Sequence, residues 1–146
     1  MLSGEECLAL LGSNDFGRIG LSINALPAIL PVNYRIVDGV VVILSASGAK
    51  LSAAVNHSVV AFEVDKFSPS GEYGWSVLAI GVAFRLEDEP ELLAKLNGSM
   101  EVWIDTNTAT LIGIRPDIVS GRKIEGPRNR KAFGAAAASA LAVRPA

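Results

Sequence analysis

Two hydroxyls, a glycine and a lysine gather in the short stretch Ser45-Ala46-Ser47-Gly48-Ala49-Lys50. Backbone N–H groups at the start of a helix carry partial positive charge and attract anions, and a lysine adds a full charge. If the chain holds a phosphorylated cofactor, this stretch is where its phosphate belongs. Taken alone, small-residue loops before helices are common, and a turn with a solvated lysine is the ordinary reading. The single cysteine, Cys7, shares an apolar helix side with Leu8, Leu10 and Leu11, which makes it a core residue rather than a nucleophile. The single histidine, His57, stands in a polar Asn-His-Ser turn with no second ligand at metal-binding spacing, so it reads as a surface turn residue.

The elements that must position the stretch follow from local pattern. Asp38-Gly39 separates two β-branched runs, Tyr34–Val37 and Val40–Leu44, and predicts a tight hairpin leading into Ser45. Lys50–Asn56 then forms a short helix, apolar at Leu51, Ala54 and Val55. Upstream, Ser3 and Glu6 have capping-box spacing for a helix to about Leu11. Phe16–Ile23 and Ala28–Val37 read as strands joined by a turn at Asn24–Pro27, with Gly17 and Gly20 marking bends or close backbone approach. Downstream, Val59–Asp65 is a strand with Glu63 and Asp65 on one face. Lys66–Tyr73 is a loop, and Gly74–Glu87 is a long apolar strand with a bulge or bend at Gly81. Asp88–Asn97 starts well as a helix, Ser99–Asn107 is irregular, and Thr108–Arg115 and Asp117–Ile124 are separate strand-like pieces.

The sum is about six strands and three short helices in one mainly β domain, antiparallel by hairpin logic: a small closed or split barrel over residues 1–124. Residues 125–146 change character to a basic, alanine-rich tail. Half the residues are hydrophobic and 19% are charged, which excludes a disordered chain. The mean hydropathy of +0.38 without any apolar run near ~18 residues argues for an oligomer interface rather than a membrane span. A net charge of −2 argues against a nucleic-acid partner. The absence of a signal-like N-terminus and of cysteine pairs fits the cytoplasm.

Six blocks in order, GRIG (Gly17–Gly20), PVNY (Pro31–Tyr34), SGAKL (Ser47–Leu51), AFEVD (Ala61–Asp65), GWSVLAIGVA (Gly74–Ala83) and SGRKI (Ser120–Ile124), resemble the pyridoxamine 5′-phosphate oxidase-like proteins. More narrowly, they resemble the FMN-binding split-barrel flavoproteins of bacteria. The resemblance covers Glu5 to Ile124 and implies a six-stranded antiparallel Greek-key split barrel. It also implies a homodimer with two FMN sites at its interface, and oxidoreductase activity on a small molecule. By position it assigns Ser45, Ala46 and Ser47 to backbone and hydroxyl contacts with FMN, and Lys50, followed by Leu51, to the phosphate. Val32, Asn33 and Tyr34 fall where the family lines the flavin ring, Glu63 and Trp75 fall near the pocket, and Trp103 falls where the partner subunit would reach it. Leu44, Ile80 and Val82 stand where members often carry arginine, and Ala49 where threonine or serine is usual. Those departures keep a second reading open, a split-barrel dimer that has lost flavin and binds another ligand. A third, a deazaflavin site, would call for more basic residues than Lys50 alone.

Overall fold

The computed structural model describes residues 1–45, 48–99 and 110–126, and of these the backbone alone at 45, 48–50, 97–99 and 110. Six strands, β1 (Phe16–Ile23), β2 (Leu26–Val37), β3 (Val40–Ser45), β4 (Val59–Phe67), β5 (Tyr73–Arg85) and β6 (Thr110–Glu125), close into a barrel in the order β1-β2-β3-β6-β5-β4. Every neighbouring pair is antiparallel. Helices α1 (Gly4–Gly12), α2 (Gly48–Val55) and α3 (Pro90–Ser99), with one 3-10 turn at Leu86–Asp88, complete it. This is the split-barrel architecture expected from the sequence. Among the described residues no helix is long and apolar enough to cross a membrane.

Local chemistry accounts for the connections. Ser3 caps α1 as anticipated: its hydroxyl accepts from the Glu6 N–H at 3.2 Å, and its own N–H donates to the Glu6 carboxylate at 2.7 Å. That bond, above all, holds the Glu6 carboxyl below its ordinary value. Asp38 and Gly39 both have positive φ, 50° and 75°, the signature of a two-residue type I′ hairpin. The β1–β2 connection is equally tight. Asn24 and Ala25 alone form the turn, at φ of 51° and 63°, and Leu26 already pairs with Ile23. The strand therefore begins two residues earlier than proline placement suggested, because Pro27 and Pro31 both lie within the pairing to β1.

β3 is buried on both sides, which explains its unbroken Val-Val-Val-Ile. Val41 and Ile43 join the barrel core, while Val40 and Val42 pack in a second cluster with Phe84, Leu86, Leu92 and Leu96 beneath α3. The two strand-like pieces after residue 108 prove to be one strand. Gly81 pairs with Pro116 and Ile80 with Ile118, leaving Asp117 as the extra residue of a bulge. Gly81 is required there, since a Cβ on it would lie 2.0 Å from the Arg115 carbonyl oxygen. Gly17 likewise lies under the Phe62 ring, with 2.4 Å left for a Cβ, whereas Gly20 meets only ordinary contacts.

Ala25 is the one strained choice in these turns, because an L side chain disfavours the left-handed region by roughly 1–2 kcal/mol. Ala25→Gly is expected to raise unfolding free energy by about 0.5–1 kcal/mol after the extra freedom of the unfolded glycine is subtracted. Urea denaturation followed by circular dichroism reads that gain, and a lower midpoint would contradict it.

Candidate functional site

The stretch expected to meet a phosphate begins where β3 ends and runs into α2. Ser45 pairs with Thr110 at the end of β3, and the chain enters α2 at Gly48. The first-turn N–H groups of a helix, here those of Gly48, Ala49 and Lys50, lack acceptors within the helix itself. Leu51 and Val55, 6% and 1% exposed, anchor the helix in the barrel core. Leu51 is thus a packing residue behind the loop. Its other end is clamped to β5: the His57 N–H donates to the Ala83 carbonyl at 2.8 Å, and the Ala83 N–H donates to the Ser58 carbonyl at 2.9 Å. His57 itself is exposed with φ of 62°, a left-handed position just beyond the helix. The Ala46, Ser47 and Trp103 assignments lie outside the described residues, as do the side chains of Ser45 and Lys50.

In Val32-Asn33-Tyr34 the strand alternation separates the side chains. Val32 and Tyr34 face inward and belong to the core, and only Asn33 is half-exposed on the outer side. Asn33 pairs with Phe16 of β1 and with Leu44 of β3, the point at which β2 changes partners. The Tyr34 ring meets Phe62 edge-on at 4.8 Å, and its hydroxyl donates to the Leu11 carbonyl, tying α1 to β2. Burial, reinforced by the Asp15 carboxylate, pushes the Tyr34 phenol up to about 12. Val32 and Tyr34 therefore fix the backbone on either side of Asn33 and present no side chain to an outer ligand.

Glu63 and Asp65 share the outer face of β4, and both accept from Arg18, at 3.0 and 3.3 Å. The two carboxylates, Asp65 foremost, raise the guanidinium further above its ordinary value. Nothing in sequence spacing announces Arg18 as the partner of Glu63. Only the β1–β4 seam, where Arg18 lies opposite Glu63, brings them together. Trp75 is half-buried against the barrel core and pairs with Lys66 and Lys123. Ser45 and Trp75 thus sit toward opposite ends of β6, roughly 40 Å apart along the strand at ~3.3 Å per residue. Among the described residues, Asn33 lies beside the end of β3, opposite Leu44, while Trp75 lies toward the far end of β6.

Between these regions, Ile29, Gly20, Ala61, Ile80 and Ile118 occupy consecutive register positions across β2, β1, β4, β5 and β6. Val59 pairs with Val82 alongside. Ile29, Val59 and Ile118 are 73%, 68% and 59% exposed, so a continuous apolar row lies open on the outer sheet.

The family model for pyridoxamine 5′-phosphate oxidase matches residues 3–123. The chain belongs to the pyridoxamine 5′-phosphate oxidase-like family. Its relatives include the uncharacterized protein Rv0080 of Mycobacterium tuberculosis, 39% identical over 128 residues and covering 84% of each chain. Among solved structures, the FAD binding protein from Mycobacterium smegmatis is 30% identical, with a TM-score of 0.69 over 85% of this chain and 96% of its own. A conserved protein of unknown function from Corynebacterium diphtheriae is 28% identical, with a TM-score of 0.68 over 84% of this chain and 95% of its own. The split barrel is thus common to this chain and both solved relatives.

Tyr34 offers a direct test of the core beneath Asn33. Its phenol is raised from 10 to about 12 in the fold, so the stability it confers is complete below pH 10 and is lost as pH rises through 12. Tyr34→Phe is expected to cost about 1–2 kcal/mol at pH 7, because the buried Leu11 carbonyl loses its donor. The gap between wild type and variant should narrow between pH 10 and 12, as followed by urea denaturation across that range. A constant gap would show that the phenol is not buried.

Proposed function

We propose that the protein is a flavin-dependent oxidoreductase that binds FMN at the interface of a homodimer and acts on a small-molecule substrate. The observation that carries this reading is the placement of the Ser45–Lys50 stretch at the entry to α2 of a family split barrel. The residues fit the group: first-turn N–H groups and Lys50 suit a dianionic phosphate, and the half-exposed Asn33 amide suits a polar ring edge. When bound, flavin supplies two-electron transfer through its ring system. The chain binds and orients: Lys50 and the α2 amides hold the phosphate end, Asn33 offers its amide, and Val32 and Tyr34 keep the strand beneath it rigid.

The separation of Ser45 from Trp75 supports a site shared by two copies, in which one contributes the loop and the other its Trp75 side. The open apolar row supports the same dimer, since a monomer rarely leaves a patch of that kind exposed. Two specific observations favour variants of the reading. The Mycobacterium smegmatis relative is an FAD binding protein, which favours the larger flavin. Ile80 and Val82 extend the apolar row where arginines would have supplied charge for a phosphate, which favours a dimer that binds another ligand without flavin.

Titration of the purified protein with FMN and separately with FAD, followed by the flavin absorption bands, distinguishes these. Tight uptake of FMN, weakened about 10- to 100-fold in Lys50→Ala, is the expected result. Preference for FAD would replace FMN with the larger cofactor, and no uptake of either would leave the flavin-free reading. For the assembly, sedimentation should give a dimer, and Ile29→Glu with Ile118→Glu should give a folded monomer that has lost flavin affinity. A wild-type monomer, or a dimer unaffected by both charges, would remove the shared-site argument.

A further inference from the structure

Two buried polar atoms, one on α2 and one on the residue just after it, stand out among the described residues. Ser52 is 2% exposed, and its hydroxyl has no hydrogen-bond partner among the described residues. The Asn56 side-chain carbonyl is buried in the same condition. The two are one helical turn apart, and the helical spiral is continuous between them, since the Asn56 N–H donates to the Ser52 carbonyl at 3.1 Å. Residues so spaced lie on one face of the helix, roughly 5–6 Å apart at Cβ. α2 packs on β1, β5 and β6, and both oxygen atoms are shielded from solvent.

Buried polar atoms in folded proteins are almost always satisfied, by protein or by ordered water. The chemistry of this pair selects the occupant. The Asn56 oxygen only accepts, so an anion is repelled and a donor is needed. Two neutral oxygens are too few for a divalent cation, which takes six or more ligands in a hard-oxygen site. A molecule that donates to Asn56 and either donates to or accepts from Ser52 completes both groups, and one water spans the gap with two ordinary hydrogen bonds.

We propose that Ser52 and Asn56 form an internal site holding one water molecule, and that this bridge locks α2 onto the barrel. Ser52 and Asn56 are then positioning residues for the helix that begins at Gly48. The bridge adds a second fastening beside the clamp at Ala83, and it stands whether or not flavin binds; only its consequence for a phosphate rests on the reading above.

A crystal structure of the native protein at high resolution should show water within hydrogen-bond distance of both the Ser52 hydroxyl and the Asn56 carbonyl. A protein side chain or backbone group in that place would overturn the proposal. Hydrogen exchange then tests the locking. In Ser52→Ala, amides of Gly48–Val55 should exchange about tenfold faster relative to those of β5, and Ser52→Thr, which keeps the hydroxyl, should restore them. Denaturation adds a third reading: the double variant Ser52→Ala with Asn56→Leu should lose no more stability than the worse single one, because removing both partners releases the water. Equal exchange in wild type and Ser52→Ala, or strictly additive losses, would refute the bridge. Because these measurements use the protein without added flavin, a failed flavin titration leaves their outcome unchanged.

Discussion

Barrel closure depends on the close approach of Gly81 to the backbone of Arg115, where a Cβ would come within 2.0 Å of the carbonyl oxygen. β5 and β6 are the longest strands, 13 and 16 residues, well beyond the usual five or six. A regular pair of that length would run past the barrel. The bulge does more than bend it. Before Asp117 the inward residues of β6 are Ile112 and Ile114, and after it Val119 and Gly121 face the core. The extra residue reverses the alternation, so both halves of one strand keep an apolar face inward while the chain turns. Without that slip, the segment against which α1 packs would present charge to Cys7 and Leu2.

Much of this was legible because the deciding signals are local. A φ-positive pair at Asp38-Gly39, a capping box at Ser3 and a glycine inside an apolar run at Gly81 each act within a few residues. What escaped is what only pairing decides. Pro116-Asp117 resembles a break in the chain, and only its register opposite Gly81 shows that a proline and an unpaired residue can occupy one continuous strand. The Arg18–Glu63 contact joins strands that have no local connection. The Val32-Asn33-Tyr34 block shows a different limit. Resemblance carries over three consecutive residues as one surface, whereas period-two alternation gives that surface only the middle one, and the alternation was readable from the start.

The surface completes the account of composition. Alongside a mean hydropathy of +0.38, exposed apolar side chains stand on the outer sheet at Ile29, Val59 and Ile118. Gly20 and Ala61 lie between Ile29 and Ile80 in the same row, so small residues form a trough flanked by branched ones. Arg18, Glu63 and Asp65 sit at its margin as paired charges. An apolar centre with a charged rim is the anatomy of a protein interface. A two-fold contact uses the same patch twice, which is the geometry the proposed dimer would require of this row.

α2 connects the core to the candidate phosphate loop. An eight-residue helix has little stability of its own, so its position is inherited from what it touches. Leu51 and Val55 give it depth in the barrel, and the backbone exchange between His57, Ala83 and Ser58 fixes its far end to β5. Ala83 lies two residues from Gly81 on the same strand, which places the anchor of α2 beside the bulge that closes the barrel. The helix that carries the amides of Gly48–Lys50 is therefore fastened to β5 at its far end. A site of this construction needs few specialised side chains at the ligand itself, because preorganisation is supplied from behind by packing and backbone hydrogen bonds.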